Sequence, residues 1–121
     1  MLTPSAFRTG RGRVYRTGYP FLKQYNTKII VNVCGKTKED YLDVVERLGG
    51  TDVDMLEINI SCPNVKAGAL AFGQDPKVAE DITAAIKKVA KQPVIMKLSP
   101  NVTDISEMAK AVEQEGPTWY P

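Results

Sequence analysis

Three apolar runs typical of buried β-strands alternate with three helical patterns, and this alternation restricts the fold more than any other feature. The runs cover residues 28–33, 55–60 and 93–100. Each is followed by a stretch whose apolar residues recur at the spacing of one helix face. Strands that are apolar almost throughout are covered on both faces, as in parallel sheets joined by crossover helices. The sequence therefore predicts an α/β fold built from parallel βα units.

Capping residues mark where these helices begin. Thr37 is predicted to cap the first helix, Asp75 the second, with Pro76 at its first position, and Thr103 the third. Gly49 and Gly50 end the first helix, the second must end before Pro93, and Gly116 ends the third. The last helix is expected to bury Ile105, Met108, Ala109 and Val112.

An open doubly wound sheet and a closed (β/α)₈ barrel both fit this order of elements. No glycine-rich dinucleotide fingerprint follows any of the strands, which weakens the first option. Polar residues near the carboxyl ends of the strands, Asn32, Asn59 and Lys97, favour the barrel. A complete barrel takes about 250 residues, whereas this chain has 121. We expect a partial TIM barrel of three to four βα units.

Composition excludes several classes of function. The sequence has no apolar run long enough for a membrane span and no signal-peptide core, so we expect no membrane association. Cys34 and Cys62 are far apart and there is no histidine, so no metal site is expected. Unpaired cysteines are typical of a reducing, cytoplasmic setting.

The first twenty residues are basic. They contain Arg8, Arg11, Arg13 and Arg16, and no acidic residue precedes Glu39. Such a block is typical of a solvated or nucleic-acid-binding arm. We divide the chain into an irregular basic segment (1–20), a partial barrel domain (21–116) and an irregular tail (117–121).

The stretch Ile58–Asn64, INISCPN, is the strongest candidate for a site. A strand ends abruptly at Cys62, because Pro63 cannot donate to a sheet ladder. A thiol and two carboxamides, those of Asn59 and Asn64, are placed where the strand gives way to a loop. The alternative interpretation of Cys62 is a small buried hydrophobic residue.

Three segments carry a resemblance to a known family: KIIVNVCGKTKEDYLDVVERL, LEINISCPNVKAGALAFGQDP and VIMKLSPNVTDI. They resemble the catalytic subunit of dihydroorotate dehydrogenase, and the motif from Asn59 to Lys66 followed by FGQDP is similar to its class 1B, NAD-linked branch. The resemblance covers about Pro20 to Gly116. It implies a TIM barrel that binds FMN at the strand carboxyl ends and oxidises dihydroorotate to orotate in UMP biosynthesis. It also implies a second catalytic subunit, and an electron-transfer subunit with FAD and a 2Fe–2S cluster that reduces NAD.

The resemblance assigns roles to individual residues. Cys62 matches the general base, on a loop that closes over the substrate. Asn59 matches a residue that contacts both flavin and substrate, Asn64 a substrate contact, and Asn32 a flavin contact. Lys97 matches a lysine whose positive charge lies beside the flavin. The alternatives are asparagines that bond their own backbone, and a lysine that extends from a strand end into solvent.

Other parts of the family pattern are missing from the sequence. Its first two strands, its substrate-binding Asn-Ala-Ile-Gly-Leu segment and its glycine-rich phosphate loops have no match. Thr3 to Thr9 can be encoded by a choice of codons that, read in another frame with one base restored, gives Asn-Ala-Ile-Gly-Leu-Gln-Asn. We therefore hypothesise that residues 3–20 and 117–121 are frameshifted family sequence, and that the chain is an incomplete fragment whose own activity is in question.

Two other functions are compatible with the sequence. A flavin reductase of the dihydropyrimidine dehydrogenase kind shares the NISCP-like loop, although the continuation Asn64-Val65-Lys66 argues against it. A non-enzymatic module that binds through the basic segment is the other alternative, but no aromatic residues are arranged with the arginines to stack on bases.

Overall fold

A computed structural model describes residues 19–61 and 72–114. Its elements follow the order helix, then strand and helix three times. They are α1 (Tyr19–Leu22), β1 (Ile30–Val33), α2 (Lys38–Leu48), β2 (Met55–Asn59), α3 (Pro76–Val89), β3 (Val94–Lys97) and α4 (Ile105–Gln114).

The three strands form one open parallel sheet in the order β1-β2-β3. Asn32 of β1 pairs with Glu57 of β2, and Asn59 of β2 pairs with Lys97 of β3. Each strand is followed by a helix, which confirms the predicted α/β fold of parallel βα units. Three such units in one sheet are consistent with a partial TIM barrel.

The two faces of the sheet have different characters. One face packs against the helices, and its side chains on β2, Leu56 and Ile58, are fully buried. The other face carries the alternate residues of each strand and is open, so that Ile30 is 53% exposed. Side chains alternate between faces along a strand, and this alternation places the polar strand residues on the open face. The core cluster includes Val33, Tyr41, Val45, Leu48, Leu56, Ile58, Ile82, Ile86, Val94, Met108 and Val112.

Local signals set the starts of α2 and α3 as predicted. The Thr37 side chain accepts a hydrogen bond from the Asp40 amide, and the Asp40 carboxylate accepts one from the Thr37 amide, which is a capping box. Asp75 caps α3 by accepting from the Lys77 amide at 2.9 Å, with Pro76 at the first helical position. Both predictions are confirmed.

The start and the buried face of α4 differ from the prediction. Asp104, not Thr103, caps this helix, because its carboxylate lies directly before Ile105 and accepts from the amides of Ser106 and Glu107. A cap must occupy the position next to the first helical residue for its side chain to reach those amides. The buried residues are Met108, Ala111 and Val112, whereas Ile105 and Ala109 are exposed.

The predicted basic segment, residues 1–20, lies outside the described residues except for its last two, which begin α1. The tail, residues 117–121, also lies outside them. The strands are shorter than the apolar runs that predicted them, because each run extends into the loops beside its strand.

Candidate functional site

The open face of the sheet brings together three residues that the sequence indicated as a site. Asn59 and Lys97 are the last residues of β2 and β3 and are direct partners in the ladder. Asn32 is the penultimate residue of β1, and its partner Glu57 lies two residues before Asn59. Because paired residues of a parallel ladder share a face, all these side chains project from one side of the sheet. Asn32 and Lys97 are exposed, and Asn59 is 8% exposed.

Asn59 is fixed through both its side chain and its backbone. Its Oδ1 accepts a hydrogen bond from the Ser61 amide at 3.1 Å and another from the Ser61 hydroxyl. Its carbonyl oxygen accepts a hydrogen bond of 2.7 Å from the Tyr41 hydroxyl. The local hydrogen bonds of Ser61 therefore orient the Asn59 side chain.

Glu57 is a polar member of this face that the sequence interpretation missed. Its Oε2 accepts a hydrogen bond of 2.8 Å from Asn32 Nδ2. A signal for it was available, because Glu57 is an acidic residue inside the apolar run of β2 and lies two positions before Asn59. The alternation of a strand puts two such residues on the same face.

Cys34 is exposed and contacts the side chains of both asparagines. Its thiol donates to Asn32 Oδ1 at 3.1 Å, and its sulfur accepts from Asn59 Nδ2 at 3.6 Å. The reason is again alternation, since Cys34 follows Asn32 by two positions and therefore lies on the open face.

Cys62 and Asn64, the predicted base and substrate contact, lie outside the described residues. The residues that flank their segment, Ser61 and Phe72, are both described. Phe72 packs edge-to-face on Tyr41, with ring centroids 5.6 Å apart. The two ends of the segment are thus both anchored beside the carboxyl end of β2.

Gly73 secures one of these ends by a close backbone approach. A Cβ at this position would collide with the carbonyl group of Ile60 and would also touch the Ser99 side chain. Only glycine permits such an approach of backbone to backbone without movement. The chain therefore returns from the loop directly against the end of β2.

The arrangement provides two carboxamides, a carboxylate and an ammonium group on one surface. Carboxamides donate and accept hydrogen bonds, and lysine supplies a positive charge. Such a set can hydrogen-bond a polar ligand and stabilise negative charge beside Lys97. Within residues 19–61 and 72–114, no cluster of three or more metal-ligating side chains is found. Over the same residues, no helix has the length and apolarity needed to cross a membrane.

Comparison with known proteins identifies the family of this chain. The sequence model of the family described as dihydroorotate dehydrogenase matches residues 8–118. The chain belongs to the dihydroorotate dehydrogenase family. The match begins inside the basic segment, earlier than the boundary near Pro20 that the motifs suggested, and it contains every candidate site residue.

Curated relatives within the dihydroorotate dehydrogenase family are similar over most of this chain. The protein of Alkaliphilus metalliredigens is 65% identical over 97 residues, which are 80% of this chain and 32% of that protein. The protein of Lachnoclostridium phytofermentans is 67% identical over 96 residues, 79% of this chain and 32% of its own length. Both are named dihydroorotate dehydrogenase B (NAD(+)), catalytic subunit.

These names confirm the resemblance to the NAD-linked branch of this oxidoreductase family. A more distant relative, from Listeria monocytogenes, has the same name and is 54% identical over 98 residues. It too is covered over 32% of its length. The chain therefore spans about a third of the length of the curated relatives it matches.

Proposed function

We propose that this chain forms part of a site that oxidises dihydroorotate to orotate with FMN, a step of UMP biosynthesis. The observation that carries the proposal is the grouping of Asn32, Asn59 and Lys97 on one face at the carboxyl ends of parallel strands. This is the edge at which parallel barrels place their active sites.

The residues of the open face fit the ring of a flavin. Asn32 and Asn59 provide carboxamides, and Lys97 provides the positive charge. FMN, when bound, supplies the acceptor for the hydride that leaves the substrate. Lys97 would stabilise negative charge that accumulates beside it, and a fixed charge of this kind needs no rearrangement during the reaction.

We include Cys62 and Asn64 in the proposed site because they closely follow the end of β2 in the sequence. Cys62 directly follows Ser61, whose amide and hydroxyl hold the Asn59 side chain. We assign to the Cys62 thiolate the removal of one ring proton, and to Asn59 and Asn64 the binding of the substrate. A cysteine thiol is mostly protonated at neutral pH, so this role requires an environment that favours its ionised form.

The names of the relatives support a partner subunit, and the family resemblance is the basis for its cofactors. Those proteins are named catalytic subunits and NAD(+)-linked. We propose that the complete assembly contains a second catalytic subunit, together with an electron-transfer subunit that carries FAD and a 2Fe–2S cluster and reduces NAD. We further propose a cytoplasmic location.

The test is a visible spectrum of the purified chain with added FMN, followed by dihydroorotate without oxygen. If this part of the site is sufficient, the chain should bind flavin that dihydroorotate bleaches, and Asn59→Ala should bind it more weakly. Asn26→Ala is the matched control, because Asn26 is exposed and precedes β1, away from the carboxyl ends of the strands. Bleaching by dihydrouracil but not by dihydroorotate would overturn the proposal in favour of a dihydropyrimidine dehydrogenase-like reaction. Absence of bound flavin would overturn it for this chain.

A further inference from the structure

We propose that Glu57 and Cys34 are positioning residues that lock the side-chain amides of Asn32 and Asn59 into one hydrogen-bonded unit. The role of this unit in binding a flavin rests on the proposed function, but the existence of the unit does not. The bonds run in order from Glu57 to Asn32, Cys34, Asn59 and Ser61. They connect β1 to β2 along the open face of the sheet.

Glu57 fixes the orientation of the first amide. An ionised carboxylate can only accept hydrogen bonds, so Asn32 must turn its Nδ2 toward Glu57, as the 2.8 Å contact shows. The Asn32 Oδ1 then points the other way and becomes an acceptor for the Cys34 thiol at 3.1 Å. A rotation of this amide by 180° would bring two acceptors together at Glu57.

Ser61 fixes the second amide in the same way. A backbone N–H can only donate, so Asn59 must direct its Oδ1 to the Ser61 amide, 3.1 Å away. Its Nδ2 therefore faces the Cys34 sulfur, at 3.6 Å. The Glu57 carboxylate at one end can only accept, and the Ser61 amide at the other end can only donate. Each therefore fixes the direction of the hydrogen bonds independently of the other.

Cys34 lies between the two amides, and its thiol must satisfy both of them. It must donate to Asn32 and accept from Asn59, and a neutral thiol has one donor and can also accept. A thiolate or an alkylated sulfur would lose the donor and break the bond to Asn32. The thiol is exposed, so a small alkylating reagent can reach it.

The consequence is that the two amides present fixed donors and acceptors before any ligand arrives. Groups that are held in place need not be ordered on binding, and this improves affinity. Glu57 and Cys34 would thus influence a ligand through Asn32 and Asn59. A hydroxyl can replace the thiol, since serine also donates and accepts.

The first experiment observes the side-chain amides directly, in the 121-residue chain labelled with ¹⁵N-asparagine and without flavin. Glu57→Leu should move the Nδ2 signals of both Asn32 and Asn59, whereas Glu57→Gln should leave Asn59 unchanged, because glutamine retains an acceptor. Cys34→Ala should move both sets of signals, and Cys34→Ser should restore them. Ile30→Val is the control, because Ile30 lies on the same face but outside the unit. Signals of Asn59 that do not respond to Glu57→Leu and Cys34→Ala would overturn the inference.

The second experiment titrates FMN into the same variants. Glu57→Leu and Cys34→Ala should each weaken binding about three- to tenfold, the effect of one hydrogen bond. Glu57→Gln and Cys34→Ser should bind as the unmodified chain does. If the unmodified chain binds FMN and Glu57→Leu binds it equally well, positioning is refuted while the proposed function stands. If no variant binds FMN but the amide signals respond as expected, the unit is established and the proposed function fails.

Discussion

The hydroxyl of Tyr41 donates a hydrogen bond of 2.7 Å to the backbone carbonyl of Asn59. Tyr41 lies in α2, on the covered face of the sheet, and is 3% exposed. Asn59 ends β2, and its side chain projects from the opposite face. The helix layer therefore fixes the backbone from which a candidate binding group projects, and packing in the core determines the position of that group.

Removal of this hydroxyl should destabilise the chain. In Tyr41→Phe the carbonyl of Asn59 loses the hydrogen bond from this hydroxyl while the ring keeps its contact with Phe72. The expected loss is about 0.5–1.5 kcal/mol in the free energy of unfolding, the usual contribution of one hydrogen bond. Urea unfolding measures it. Tyr25→Phe is the control, since Tyr25 is 57% exposed, and an equal loss there would contradict this account.

Gly73 should tolerate no side chain. In Gly73→Ala the new Cβ would collide with the Ile60 carbonyl group, so the loop or the end of β2 must move. The expected cost is about 1–3 kcal/mol, as for other overpacked sites. Gly50→Ala provides a matched comparison, because the nearest atom to its added Cβ is the Arg47 carbonyl oxygen at 3.8 Å. Comparable urea midpoints for the two variants would refute the proposed close approach.

The elements that the sequence predicted well are those governed by neighbouring residues. Thr37 and Asp75 cap helices through amides two or three positions away, and such contacts can be inferred from spacing alone. The start of α4 was misplaced because Thr103 and Asp104 are adjacent and are both good capping residues. Only the geometry of the chain decides which of them is next to the first helical turn.

The contacts of the site could be predicted only in part. Asn32, Asn59 and Lys97 were indicated because polar residues interrupt apolar runs near the strand ends. Their grouping depends on the register of the sheet, which pairs Asn32 with Glu57 and Asn59 with Lys97. Register is a long-range property set by the packing of whole strands. For that reason the links through Glu57 and Cys34 were not foreseen.

Acid should destabilise the fold through two aspartates outside the site. The amide of Ile29 donates to Asp54 at 2.7 Å, with Lys28 also close, and holds the pKa of that carboxyl below its ordinary value of 3.8. The amides of Ser106 and Glu107 likewise lower the pKa of Asp104. Near these values the unfolded chain binds protons more readily than the folded one, so this stabilisation is present at higher pH and is lost as the pH falls.

The measurement is the urea midpoint as a function of pH. We expect a constant value from pH 7 to 5 and a decrease below about pH 4, where these carboxyls begin to take up protons. The double variant Asp54→Asn with Asp104→Asn should show a shallower decrease. Each substituted side chain keeps an oxygen that accepts a hydrogen bond but does not titrate. A decrease of the same steepness in that variant would mean that other groups cause the acid sensitivity.

Lys97 should affect both the affinity for FMN and the potential of the bound flavin. Lys97→Met keeps the length of the side chain and removes the charge at the end of β3, beside Asn59. Because charge-assisted hydrogen bonds are the stronger ones, the affinity should fall about ten- to a hundredfold. The positive charge favours the reduced cofactor over the oxidised one, so the potential should also become more negative, by about 30 mV for each tenfold difference between the two affinities. Lys77→Met is the control, since Lys77 is an exposed residue in the first turn of α3. A potential that is unchanged in Lys97→Met, with FMN still bound, would show that this lysine does not lie beside the ring.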